Sequence, residues 1–222
     1  MSQLDFSSVL QAWPLFLDGL LLTIFLTVLT SILGTGLGIL CVWGLSQRCR
    51  LVRSAITCYV ELFRNTPFII QIFFIYFGLA SVGLRMSALA ASLLGLILNL
   101  AAYACEIIRA GVDATPRGQI EAAQSLSLTR FQVFRKVIVA PALARVWPGL
   151  VSQLIILMLA TSVCSQISTA ELSYAANFVA GKTFRSFESF ASVTLIYLLL
   201  AIFMRNFLLW LGPRFVFGPA RF

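Results

Sequence analysis

Along most of this chain, apolar residues do not alternate with polar ones. They come in long runs separated by short charged intervals. Gly19 to Leu45 is 27 residues without a charge, and about 20 apolar residues suffice to cross a bilayer as a helix. This run predicts a first membrane span. Gly34, Gly36 and Gly38 near its inner half permit close helix packing. They follow no strand and precede no lysine, so they do not form a phosphate loop. The chain next climbs through residues 54–84, interrupted at Pro67, which lacks an N–H and must bend or restart a helix. One bent second span is predicted, with Phe68–Leu79 as its upper part. A third span runs from about Met86 through Cys105 and a fourth over Val146–Ala170. A last span begins at Ser189 and reaches about Leu211, with Arg205 snorkelling to the interface.

The longest polar interval, residues 112–141, separates the third and fourth spans. Thr115-Pro116 reads as the cap and first residue of a helix through roughly Ser125. Thr129 to Gln132 fits a capping box opening a second helix, with Ser127-Leu128 at the bend. On that second helix Phe131, Phe134 and Ile138 form an apolar stripe, while Arg130, Arg135 and Lys136 point elsewhere. The two short helices predict a compact knob with an apolar edge. At the start of the chain, Phe6, Val9, Leu10, Trp13 and Leu17 recur at helical spacing, so residues 1–18 predict a short amphipathic surface helix.

Composition strengthens the membrane reading. Hydrophobic residues make up 60% of the 222, only 11% are charged, and the mean hydropathy is +0.97. A soluble domain of this size could not hide so much apolar surface. The formal charge of +8 then fixes an orientation. With five spans and the N-terminus outside, the inner loops and tail hold Arg48, Arg50, Arg53, Arg117, Arg130, Arg135, Lys136, Arg145, Arg214 and Arg221. The outer segments hold only Arg85, Lys182 and Arg185, so positive charge lies inside. Residues 1–18 carry Asp5 and Asp18 and no basic residue, which argues against a cleavable secretory signal. Residues 171–188 are charge-balanced and suit an external segment.

Candidate chemistry is sparse. There is no histidine, and the five cysteines lack ligand spacing, which argues against a structural zinc site or a His-based catalyst, and the cysteines read as small buried hydrophobes. The basic residues make no continuous patch, which argues against nucleic acid. Glu61 with Arg64, and Glu106 with Arg109, stand at i,i+3 and can pair, as a cytoplasmic gate or as interface structure. Asn99 and Tyr103, with Gln153, Thr161 and Ser162 in the fourth span, are polar groups at membrane depth. Such groups face a bundle or a wet cavity, lining a translocation path or bonding neighbouring helices. An ion-gradient secondary transporter or channel is the competing class. It would call for inverted repeats and an isolated intramembrane acid, whereas each of these glutamates has a basic neighbour.

Several segments, in order, resemble the permease subunit of bacterial ABC importers in the polar amino-acid group: Tyr59-Val-Glu61-Leu-Phe-Arg64-Asn-Thr66-Pro67, Tyr103-Ala-Cys-Glu106-Ile-Ile-Arg109-Ala-Gly111, Gly118-Gln119-Ile-Glu121-Ala122-Ala123, the distal Pro141, and Thr161-Ser162 followed by Glu171-Leu. The resemblance implies an all-α membrane protein of five helices in the bacterial inner membrane, N-terminus periplasmic and C-terminus cytoplasmic. Its transmembrane domain would cover 19–211, flanked by segments 1–18 and 212–222. It implies that 112–141 is a coupling loop, with Gly118, Glu121, Ala122, Ala123, Ser127 and Pro141 meeting an ATPase. It further implies two ATPase subunits holding ATP and Mg, a second permease subunit, a periplasmic amino-acid-binding protein, and no cofactor or catalysis on this chain. Two positions depart from the pattern. Ser127 replaces the loop glycine, although only glycine takes a left-handed bend freely. Leu159-Ala160 replaces the usual Lys-Asp, which removes two charges from the presumed path. With Thr129 capping the second helix, a bend at Ser127 is still expected.

Overall fold

The computed structural model describes residues 6–216, all helix and connecting turn. Asp5 and Arg221, and with Arg221 the last part of the tail, lie outside the described residues. In chain order the helices are α1 Ser7–Gln11, α2 Trp13–Leu45, α3 Arg50–Arg64, α4 Phe68–Ser81, α5 Ala88–Asp113, α6 Arg117–Ser125, α7 Arg130–Ile167, α8 Leu172–Thr183 and α9 Ser186–Arg214. Four of them (α2, α5, α7 and α9) are long and apolar enough to cross a membrane, and the bent pair α3–α4 makes a fifth crossing if taken as one span.

The bundle is centred on α2 against α5, its most extensive contact, with α7 packed on α5 and α9 beside α7. Small residues permit the close α2–α5 approach. A methyl group at Gly38 would lie 2.8 Å from Cβ of Ala104, and one at Gly34 would lie 2.9 Å from Cβ of Leu100. Three apolar clusters succeed one another along the bundle. One joins Val42, Val60, Ile108, Phe134 and Trp147, and a central one joins Leu26, Ile72, Leu100 and Leu154. The third, around Phe16, Met158, Leu172 and Tyr197, lies at the opposite end from Phe134. Large apolar side chains such as Leu21, Ile32 and Leu40 on α2, and Leu195, Leu199 and Phe203 on α9, remain exposed on the outside. In water such a surface would be an association site; in a membrane it is the lipid face.

Four expectations need correction. The second span is not one bent helix, because α3 and α4 diverge by 110°. Pro67 has no N–H to continue α3, and it takes the extended conformation (ψ 138°) that caps α4 instead. The second helix of the polar interval is not separate from the fourth span, since α7 runs unbroken from Arg130 to Ile167. Pro141 is accommodated inside it by the wider π-helical turn over Val133–Val139, which re-routes backbone bonds where the N–H is missing. Residues 171–188 are not merely an external segment: they contain α8, which buries Leu172, Ala175, Ala176 and Val179. The amphipathic N-terminal helix shrinks to α1, where Val9 is buried while Leu10 is 71% exposed.

Candidate functional site

The polar interval folds into a helical hairpin of α6 and the start of α7. α6 begins one residue later than the sequence suggests, with Pro116 as its cap. Thr115 is buried, and its hydroxyl accepts from Nη1 of Arg145 at 3.4 Å; the same nitrogen donates to Gly111 O at 3.1 Å. One guanidinium thereby ties the hairpin to the ends of two spans. At the end of α6, Ser127 takes φ 58°. Its N–H donates to Gln124 O at 2.9 Å and Leu128 N–H donates to Ala123 O at 3.3 Å, the paired bonds of a Schellman turn. Thr129 Oγ1 then accepts from Gln132 N–H, while the Gln132 side chain accepts from Thr129 N–H, closing a reciprocal capping box.

Packing divides the hairpin into two faces. Ala123, Val133 and Phe134 are buried inside, and Trp43 at the end of α2 holds Phe131 and Phe134 at ring-centroid distances of 5.8 and 4.6 Å. Gly118, Glu121, Ala122 and Ser127 are exposed, and a methyl group added to Gly118 would meet nothing. Ala123 therefore belongs to the hairpin's own core, unlike its neighbours. Of the expected stripe, Phe131 remains 57% exposed. Leu126, which sequence reasoning passed over, is 77% exposed at the tip. An apolar residue in a polar interval is the signal that could have found it. Pro141 lies within α7, half-buried.

A second polar group gathers where α3 meets α4. Glu61 and Arg64 do not pair among the described residues. Arg64 instead crosses to α5, where Nη1 lies 3.4 Å from Oε2 of Glu106. Arg109 Nη2 holds the other oxygen at 2.6 Å, so Glu106 is shared by two cations. Arg64 also lies 5.9 Å from the Tyr103 ring centroid. Glu61, exposed, lines the same small charged cleft of about 130 Å³. Helix geometry explains the exchange: Arg64 is the last residue of α3, and the turn to Pro67 releases it toward α5.

Above this cleft Gln71, alone among apolar neighbours, staples the break. Its Nε2 donates to Phe63 O (2.8 Å), Thr66 O (3.0 Å) and Thr66 Oγ1 (2.8 Å), and its Oε1 accepts from Asn99 Nδ2 at 2.9 Å. Sequence reasoning missed it; one amide inside FIIQIFFIYF was the available sign. Gln71 also lines an apolar cavity of about 330 Å³ with Phe63, Ile70 and Phe74. Asn99 and Tyr103 thus share the α5 face toward the break. Gln153, Thr161 and Ser162 lie on α7, and no side-chain hydrogen bond joins them to Asn99 or Tyr103 among the described residues. Thr161 is fully buried and bonds its own helix at Met158 O (2.6 Å), as Ser162 bonds Leu159 O (2.6 Å). Cys41, Cys105 and Cys164 are buried, whereas Cys49 and Cys58 are exposed.

At the opposite end, Glu171 is fully buried and caps α8. Its carboxylate accepts from Tyr174 N–H at 3.0 Å and from the Tyr197 hydroxyl at 2.6 Å. Burial raises its pKa above the ordinary carboxylate value, against the opposing pull of these donors.

Residues 34–217 match the family described as the inner membrane component of binding-protein-dependent transport systems. The chain belongs to that family. This permease is 31% identical over 202 residues to the glutamine transport system permease protein GlnP of Escherichia coli strain K12, a match covering 90% of this chain and 92% of GlnP. It is 35% identical over 199 residues to the octopine transport system permease protein OccM of Rhizobium meliloti, covering 84% and 81%. A crystal structure of an amino acid ABC transporter with histidines superposes with a TM-score of 0.85 at 31% identity, over 96% of the permease and all of that chain. The permease is accordingly a multi-pass inner-membrane subunit of an ABC import system and is not itself an enzyme. Membership implies an ATPase and a binding protein as partners in general.

Proposed function

We propose that the permease carries a polar amino acid, or a related small amino-acid derivative, inward across the membrane after delivery by a periplasmic binding protein. It works as one of two permease subunits driven by two ATPase subunits that hold ATP and Mg. The named relatives, which transport glutamine and octopine, support the substrate class. The distribution of arginines supports five crossings, with α3 and α4 as one broken span, the N-terminus periplasmic and the C-terminus cytoplasmic. In this reading residues 1–18 are a periplasmic lead-in, 19–211 the transmembrane domain and 212–222 the tail.

The observation that carries the reading is the unbroken helix from the hairpin into the membrane, Arg130 to Ile167. A rigid element joining an exposed knob to a span can transmit a movement of one to the other. The exposed face with Gly118, Glu121, Ala122 and Leu126 then seats in a cleft of the ATPase. Ala123 and Ser127 set the hairpin's shape and Pro141 its junction with the span. The Arg64–Glu106–Arg109 cluster with Glu61 acts as a cytoplasmic gate. Asn99, Tyr103 and Gln71 face the path, and Gln153, Thr161 and Ser162 border it from α7.

The test is Glu121→Lys in the complete transporter. ATP-driven uptake is expected to vanish while the permease still inserts and folds, because the exposed Glu121 carboxylate makes no hydrogen bond or ion pair among the described residues. Normal uptake in that variant would remove the hairpin from coupling. Uptake that persists after deletion of the ATPase would overturn the importer reading itself. Ala123→Asp is unsuitable, since a charge there would break the hairpin core.

A further inference from the structure

The hairpin does not close fully against the end of α2. Between them lies a cleft of about 310 Å³, lined by Trp43 and Arg48 on one side and by Leu128, Arg130 and Ile138 on the other. That volume falls within the range of small-ligand sites. No acidic residue lines it. The Arg48 and Arg130 guanidinia and the Trp43 Nε1–H find no acceptor among the described residues. Arg48 also lines a neighbouring cleft of about 710 Å³ with Arg50 and Arg53, where Glu61 is the lining carboxylate. Four arginines from two distant parts of the sequence thus gather at the end of α2 against one carboxylate. Like charges gathered in this way repel one another, and a bound anion relieves that repulsion while satisfying the idle donors.

Depth in the membrane selects the anion. The charge-free run of α2 ends at Leu45, so Trp43 and Arg48 straddle the boundary of the first span, where amphipathic rings and basic side chains meet headgroups. Leu40, 63% exposed on the lipid face, stands one helical turn before Trp43. Leu128 and Ile138 make part of the wall apolar, which suits an amphiphile better than a free inorganic ion. We propose that the cleft seats the headgroup phosphate of an anionic phospholipid of the inner leaflet. Its phosphate oxygens would accept from Arg48 and Arg130, with the glycerol backbone against Leu128 and Ile138. The assignment rests on the importer reading above, which makes the hairpin cytoplasmic. Guanidinium and phosphate form paired, charge-assisted bonds, and basic clefts between helices on the cytoplasmic side favour such headgroups. Arg48 belongs to the turn after α2 and Arg130 opens α7, so one bound lipid ties the hairpin to the bundle. Its occupancy sets how firmly the hairpin is held while the ATPases move.

The experiment titrates the purified whole transporter in detergent with phosphatidylglycerol and counts retained lipids by native mass spectrometry. Wild type is expected to retain phosphatidylglycerol in preference to phosphatidylcholine. One basic residue at a membrane surface is worth about fivefold in affinity, so Arg48→Gln and Arg130→Gln should each weaken retention by about that factor. Arg214→Gln removes the same charge from the cytoplasmic side but from neither cleft, and should leave retention unchanged. Arg48 and Arg130 are exposed, so neither variant should melt lower than wild type without the lipid, which separates lost binding from misfolding. In vesicles both variants should need a larger fraction of phosphatidylglycerol for the same ATP-driven uptake. Equal retention by wild type and both cleft variants overturns the proposal. So does equal weakening by Arg214→Gln, which assigns the effect to bulk surface charge. Tight binding of sn-glycerol 3-phosphate that both cleft variants lose, with phosphatidylglycerol retention unaltered, replaces the lipid with a soluble phosphate. Uptake lost at every lipid composition, with retention intact, assigns the arginines to the ATPase contact instead. Retention is read without transport. A wild type that holds the lipid through Arg48 and Arg130 but shows no ATP-driven uptake therefore supports the cleft and sinks the importer reading.

Discussion

Ser127 and Glu171 show what single residues contribute at the two ends of the bundle. Ser127 holds a left-handed turn that costs a side-chain-bearing residue about 1 kcal/mol, and the Schellman bonds and capping box around it maintain the turn. Ser127→Gly is therefore expected to raise hairpin stability by about 1 kcal/mol, read as a higher melting temperature of the purified complex with uptake intact. Glu171 gives a pH prediction. Its folded-state pKa is raised, so its stabilising contribution is complete below the ordinary Glu value of about 4.3 and is lost as pH rises through the higher folded value. Melting temperatures followed upward from about pH 4, just below the ordinary Glu value, should fall over that window. Glu171→Gln, neutral throughout, should flatten the slope.

Among the elements, the broken α3–α4 pair depends on Gln71. Replacing its amide by a hydrocarbon leaves the Phe63 and Thr66 carbonyls and the Asn99 amide without their partner. Unsatisfied buried groups cost about 1–3 kcal/mol each. Gln71→Leu should destabilise the permease by several kcal/mol less whatever water recovers, seen as a large drop in melting temperature. An unchanged melt would show that the break is held by packing alone. The four long spans and the Thr129 capping box were legible in the sequence, because apolar runs and a Thr-x-x-Gln signal act locally, whereas the first helix is capped at Pro116 and not at Thr115. The 110° turn was not, since Pro67 announces an interruption but not its angle, and the Gln71 bonds that span the break to Phe63, Thr66 and Asn99 belong to the folded chain and follow no helical spacing. The Glu61–Arg64 pairing failed for the same reason: helical spacing allowed it, yet the helix ended at Arg64 and a better partner stood on α5. Thr161 is polar at depth, and its hydroxyl donates to Met158 O within its own helix, a bond that polar groups in a membrane often make.

For the whole molecule, the proposed gate is the cluster around Glu106. Its side chains are 28–43% exposed, and half-exposed ion pairs are worth about 0–1 kcal/mol, too little to anchor a fold but enough to bias a movement. Glu106→Gln is expected to leave melting within about 2 °C, because a change below 1 kcal/mol moves Tm by that order in a protein of this size. It should raise the leak of substrate from loaded vesicles in the absence of ATP. A tight vesicle with normal uptake would reduce the cluster to interface structure.

The continuity of α7 has a further thermodynamic consequence. One rod of 38 residues, about 57 Å at 1.5 Å per residue, begins in the hairpin and ends beside the cap of α8. If both ends take different positions in two global states, occupancy at one end must bias occupancy at the other by the same factor. A binding protein that docks more tightly when the ATPases are closed must, by reciprocity, tighten ATP binding equally. The two affinities, measured separately at each end, should shift by equal free energies.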